Sequence, residues 1–281
     1  MGLFDGLAAF GLKNMEPVED IYADEKQEKK QQEVKKETKP TPKDEVDFLI
    51  DKEYECQVCQ QKFKQRVVRS GKAKMISQDL DLRPVYDGID MQKYDVILCP
   101  HCGYSVLTRY YGPMAPTHRK MIREKITASF RPQGTQVPNK ISYEEAFPRY
   151  QLVLANALVR QAKSSERAFI CLKTAWLLRG WQAEILDDAA KRAEMKKEER
   201  DYLEKALEGF LKARASEQPP YAGMNELALD ILMSALCVET KSHKQDALRM
   251  LQGVLYSKTA TNSQKDRARD MIEMLKEVEG D

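Results

Sequence analysis

Cys56-Gln57-Val58-Cys59 and Cys99-Pro100-His101-Cys102-Gly103-Tyr104 are the stretches whose reading decides the fold. Two CxxC pairs stand with 39 residues between them. Each pair can deliver two thiolates from one tight turn, and the intervening chain folds back to bring the turns together. In the second turn Pro100 fixes φ just after the first sulfur. Gly103 permits the left-handed backbone that aims N–H groups at sulfur, where they stabilise thiolate charge. Gln60 stands where the second turn has its glycine, which predicts a looser first knuckle. Four thiolates leave no coordination position open. Cys56, Cys59, Cys99 and Cys102 are therefore expected to hold a structural Zn2+.

Other chemistries for these cysteines are weaker. A rubredoxin-like iron centre uses the same ligands and the same Cys-Pro-x-Cys-Gly knuckle, so Fe is the alternative cofactor and electron transfer the function that goes with it. The first pair lacks the Cys-Gly-Tyr run of rubredoxins. A redox-active CxxC places its nucleophile at a helix N-terminus, and neither pair is followed by a helical pattern. His101, between two cysteines, is expected on the knuckle surface and not as a ligand. Cys171 and Cys237 sit beside Leu172 and Leu236 and read as small buried hydrophobes. His118 and His243 have no partner at catalytic spacing, and no phosphate loop, nucleophile elbow or zinc-hydrolase motif is found. No catalytic residue is assigned, and the protein is read as non-enzymatic.

Outward from the cysteines, short apolar runs bounded by turn residues read as strands: Phe48-Leu49-Ile50, Phe63 with Val67 and Val68, Val96-Ile97-Leu98, and Val106-Leu107. Residues 48–113 thus form a zinc-ribbon-like β domain, small enough that metal-binding free energy becomes folding free energy. Before it, residues 15–47 mix acids and lysines with three prolines and few large apolar side chains, the composition of a disordered charged linker. Residues 1–14 carry Leu3, Phe4, Leu7, Phe10 and Leu12, interrupted by three glycines, and read as a short N-terminal amphipathic segment.

After Gly112-Pro113 the apolar period becomes helical, and residues 114–281 read as helices throughout. Pro116 marks the first start. Ser142 and Glu145 make a capping-box pattern for the next helix, in which Pro148 should form a kink or mark a later start. Further helices are expected from Ser165 to Gly180, from about Ala183 to Ala215, and then over 224–239, 244–257 and 263–278. Ala206, Phe210 and Ala213 fit the second-helix spacing of a tetratricopeptide unit, and Ala247, Leu251 and Val254 repeat it 41 residues on. A regular array repeats every ~34 residues, so the expectation is tetratricopeptide-like stacked hairpins with an insertion. The fold class is α+β, mostly α.

Charge excludes little: 46 basic residues nearly balance 44 acidic ones. One local run stands out. Lys62, Lys64, Arg66, Arg69, Lys72 and Lys74 fall within thirteen residues that hold no acid, and Arg119, Lys120, Arg123 and Lys125 follow on the first helix. In a strand, Lys62, Lys64 and Arg66 share one face, which makes nucleic acid the alternative partner. Met1-Gly2-Leu3-Phe4-Asp5-Gly6 has neither a signal-peptide nor a myristoylation pattern, and no apolar run approaches the length of a membrane span. With six cysteines, a reducing, cytoplasmic location is expected.

The two cysteine pairs, Tyr54-Glu55 before the first of them and the Trp176-bearing helix together resemble the bacterial family called domain of unknown function 2225. The resemblance covers about residues 48 to 280. It implies a zinc-ribbon-like segment followed by a tetratricopeptide-like helical tail, with Cys56, Cys59, Cys99 and Cys102 as ligands, and it implies no reaction. The resulting expectation is a zinc-stabilised interaction module, an adaptor or scaffold that meets a protein or peptide partner through its helices.

Overall fold

Period-two burial makes the first hairpin. β1 (Leu49–Glu55) and β2 (Lys62–Val68) pair antiparallel from Leu49↔Val68 to Glu55↔Lys62, and β2 buries Phe63, Gln65 and Val67 while exposing Lys62 and Lys64. The structure, a computed structural model, describes residues 44–185 and 187–277. The expected amphipathic segment 1–14 and the linker as far as residue 43 lie outside the described residues. Regular structure begins before the expected linker boundary at 47. Asp44 caps a 3-10 turn over Glu45–Phe48, and Glu45 accepts bonds from Lys93 Nζ at 2.9 Å and Tyr94 OH at 2.8 Å.

Two further hairpins follow: β3 (Met75–Gln78) with β4 (Pro84–Tyr86), and β5 (Val96–Leu98) with β6 (Ser105–Leu107). Gln65 ties the first hairpin to the third. Its amide donates to the Val96 carbonyl at 2.5 Å, and its own carbonyl accepts from Leu98 N–H at 3.0 Å. The pleat of the third hairpin separates two cores. Val96 and Leu107 face the large core shared with the helices, whereas Ile97 and Val106 face a smaller one containing Tyr54, Phe63 and the cysteines.

The helices are α1 (Pro116–Ile122), continued by a π turn over Arg123–Thr127, α2 (Tyr143–Val159), α3 (Ser164–Glu184), α4 (Ala189–Ser216), α5 (Glu226–Thr240), α6 (Lys244–Tyr256) and α7 (Asn262–Lys276). The fold is α+β and mostly α. From α2 onward each helix packs on the next, and α5 also meets α7. Both halves of the Ser142–Glu145 capping box are formed, so α2 starts at Tyr143. Pro148 therefore lies inside the helix and does not delay its start.

Gly180 differs from its expected role as a helix stop, since α3 runs on to Glu184. Its reason is space. A Cβ there would collide with the Asp90 carboxylate and the Tyr143 hydroxyl, which themselves hydrogen-bond at 2.8 Å. This contact seats the 79–95 stretch on α3.

The loop between β3 and β4 crosses the same helix. Asp81 is fully buried, accepting from Trp176 Nε1 at 2.8 Å and from Arg179 Nη1 at 3.2 Å. Arg179 also reaches Asp79 at 3.2 Å, Glu199 of α4 at 2.7 Å and Glu239 of α5 at 2.6 Å. Burial, reinforced by the Asp81 charge, pushes Glu239 up to about 7.

Gly180→Ala is expected to lower stability by about 1–3 kcal/mol in chemical denaturation, because the Asp90–Tyr143 contact must move. A neutral result would mean the loop yields freely. For Glu239 the folded state holds its proton to about pH 7 and the unfolded state to about 4.5, so the folded state binds more protons across that window. Stability then falls as pH rises from 4.5 to 7. Glu239→Gln keeps an acceptor for Arg179, so at pH 8 it should gain roughly 1–3 kcal/mol over the parent and flatten this slope. Parallel pH profiles of the two proteins would remove Glu239 as the cause.

Candidate metal centre

The two hairpins that carry the CxxC pairs are folded alike. Cys56 N–H donates to the Gln61 carbonyl at 3.0 Å and Gln60 N–H to the Cys56 carbonyl at 2.9 Å. In the second, Cys99 N–H donates to Tyr104 at 2.9 Å and Gly103 N–H to Cys99 at 3.1 Å. The first knuckle is therefore as closed as the second, contrary to the looser form expected without glycine. Gln60 adopts the left-handed conformation itself, with φ of +63° against +75° at Gly103. That conformation costs a non-glycine residue about 1–2 kcal/mol. Glycine is needed in the second knuckle for another reason as well: a Cβ at Gly103 would lie 2.5 Å from the Phe130 ring.

The structure brings the four sulfurs within 4.8 Å of one another. Cys56 Sγ lies 3.5 Å from Cys102 Sγ, and Cys59 Sγ lies 3.7 Å from Cys99 Sγ. Tetrahedral thiolate ligation at a metal–sulfur distance of about 2.3 Å implies sulfurs about 3.8 Å apart, so the donor set fits a metal ion. Val58 and Cys59 N–H groups approach Cys56 Sγ at 3.4 and 3.5 Å. Thiol hydrogen bonds from Cys102 and Cys99, with those two amides, pull Cys56 down to about 2. The hydrogen bonds that Cys102 makes with Cys56 and Cys99, with burial, in turn push Cys102 far up. A bound cation supplies positive charge that lets all four ionise together. His101 is not part of the cluster, and Cys171 and Cys237 are buried away from it, pushed up by burial to about 11 and about 12.

Three residues with no cysteine-like signature bolt the knuckles to the helices. Arg123 in the π turn donates twice to the Val58 carbonyl, at 3.2 and 2.6 Å. Thr127 Oγ1 donates to the Cys102 carbonyl at 2.9 Å, and Asn156 of α2 donates to the Gly103 carbonyl at 3.1 Å. Asn156 had one faint signal, a polar residue at a core position of an apolar helix.

The basic run is placed less favourably for nucleic acid. Strand register sets Lys62, Lys64 and Arg66 opposite Glu55, Glu53 and Asp51. Lys62 pairs with Glu53 at 3.5 Å and Arg66 with Asp51 at 2.8 Å. Arg69, Lys72 and Lys74 are exposed beyond the strand, with no ion pair among the described residues.

The family model of domain of unknown function 2225 (DUF2225), described as an uncharacterized protein conserved in bacteria, matches residues 49–277. The chain belongs to this family. Both knuckles and the helices α1 to α7 fall inside the DUF2225 match. The chain matches no curated protein and no solved structure. Among the described residues no helix is long and apolar enough to cross a membrane.

Thr127→Val and Asn156→Ala keep all four thiols and remove one knuckle bond each. Each is expected to weaken metal retention by about 10–100-fold in competition with a chromophoric chelator. Retention equal to the parent would mean the helices do not tune the site.

Proposed function

We propose that this DUF2225 protein is a zinc-clasped, non-enzymatic interaction module whose tetratricopeptide-like helices meet a protein or peptide partner in the cytoplasm. The observation that carries the proposal is the closure of the thiol cluster. Four sulfurs surround one centre, Cys56, Cys99 and Cys102 are buried, and both turns are fastened from outside by helix side chains. A site with four protein thiolates and no free position suits a structural ion. Zinc is the ion of choice for it, and iron would bind the same donor set.

Support for the helical reading comes from burial. Ala206, Phe210, Ala213, Ala247, Leu251 and Val254, the residues at tetratricopeptide spacing, are all fully shielded. Such hairpins leave their remaining surface available for recognition, which is how this architecture serves adaptors. The nucleic-acid reading has less support, because acids of β1 offset the cations of β2 across the hairpin.

Elemental analysis of the protein as purified should give about one zinc per chain, and removing it should melt the ribbon strands. An iron absorption spectrum would transfer the site to electron transfer. Affinity capture with the full chain, with and without nuclease, tests the partner. Retention that survives nuclease and high salt supports the adaptor. Retention that is lost with nuclease, and lost again in Lys64→Glu with Arg69→Glu, would replace it with nucleic-acid binding.

A further inference from the structure

A cleft of about 620 Å³ opens between β2, the second knuckle and α2, with residues 133–138 along one wall. Its apolar lining comes from Leu98, Pro100, Phe130, Ile141 and Leu152. The wall segment is anchored at both ends. Gln133 N–H donates to the Pro100 carbonyl at 2.9 Å, and Arg66 Nε donates to the Pro138 carbonyl at 3.2 Å. Between these anchors, residues 134–137 make no hydrogen bond among the described residues, so their peptide groups are free to meet a ligand.

Three cations border the cleft, and they are not equivalent. Arg66 is committed to Asp51 and to the wall segment. Lys64 is exposed on the strand and pairs with nothing among the described residues, since Glu53 across the hairpin is taken by Lys62. Arg149 is the informative one. It is partly buried on α2 and makes no hydrogen bond or ion pair among the described residues, with Glu145 one turn before it acting only through its charge. Burial disfavours its charge, and Glu145 and Tyr94 offset part of that. The acids that also line the cleft are Glu144 and Glu145, and Glu145 is engaged by the Ser142 N–H in the helix cap. A partly desolvated guanidinium with no hydrogen-bonded anion is costly, and an anion that bonds it relieves the cost.

We propose that this cleft binds a small anionic ligand, a carboxylate or phosphate carried on an apolar body. Arg149 and Lys64 are its charge partners, and the apolar lining takes the body. The guanidinium fork matches either oxyanion in bidentate geometry. The volume lies within the range of small-molecule sites, about 300–1,000 Å³. Nothing in this assignment depends on which partner the helices meet or on which metal the thiols hold.

Phenyl phosphate and phenylacetate separate the two oxyanions while keeping the body constant and leaving a thiolate-bound metal alone. Titrated calorimetrically into the full chain as purified, at fixed ionic strength, at least one should saturate with Kd near or below ~1 mM, and benzyl alcohol should not. The tighter of the two identifies the oxyanion. Arg149→Gln should weaken that probe by about tenfold or more and Lys64→Gln by several-fold, while Arg69→Gln, outside the cleft, should bind as the parent does. Because Arg149 makes no hydrogen bond or ion pair among the described residues, Arg149→Gln should melt no lower than the parent. Should that variant fail to fold, Arg149 has a structural role and the assignment falls. Lys64→Gln, on an exposed strand face, tests the charge wall independently. Failure of both probes to saturate by about 10 mM, or undiminished binding in either cleft variant, would overturn the proposal.

Discussion

One guanidinium gathers four carboxylates from three separate parts of the chain. Arg179 holds Asp79 and Asp81 from the β3–β4 loop, Glu199 from α4 and Glu239 from α5. Arg83 assists by bridging Asp79 and Asp90. Such buried charge is expensive to desolvate, and well-packed apolar side chains often stabilise as much. What apolar side chains could not supply is position. The loop carries its charges at fixed intervals, and only one placement lets Asp81 meet both Trp176 and Arg179. Burial, reinforced by the surplus of acid around Arg179, explains why Glu239 keeps its proton to near-neutral pH.

Around the cysteines the same division of labour appears at smaller scale. Backbone turns aim the sulfurs, but the carbonyls those turns leave outward are taken by Arg123, Thr127 and Asn156. The basic character of the first helical stretch is thus partly spent inside the protein. Arg123 serves the first knuckle and Arg119 donates to the Met114 carbonyl. Residues that look like surface charge in a one-dimensional reading are structural fasteners.

Features whose cause is local were legible in the sequence. The two knuckles, the Ser142–Glu145 cap and the alternation of β2 each depend on residues a few positions apart. Features whose cause is distant were not. Gly180 read as a helix end because glycine commonly ends helices, whereas its cause is Asp90 and Tyr143 arriving from elsewhere. Single bonds of the Arg179 cluster span up to 100 positions, and nothing in periodicity announces them. Gln60 was misjudged for the opposite reason. A left-handed residue is disfavoured locally, and the closure of the whole thiol site outweighs that cost. Of the two readings of Pro148, a kink or a later start, the formed cap upstream excludes the later start.

The third hairpin turns alternate side chains toward two cores, Val96 and Leu107 to one, Ile97 and Val106 to the other. A six-residue wall of this kind cannot melt on one side alone. An ion bound at the sulfurs would therefore draw on the same cooperative unit as the packing of the helices, and free energy released at the thiols would be felt by helices that never touch them. The clasp and the scaffold are thermodynamically one object.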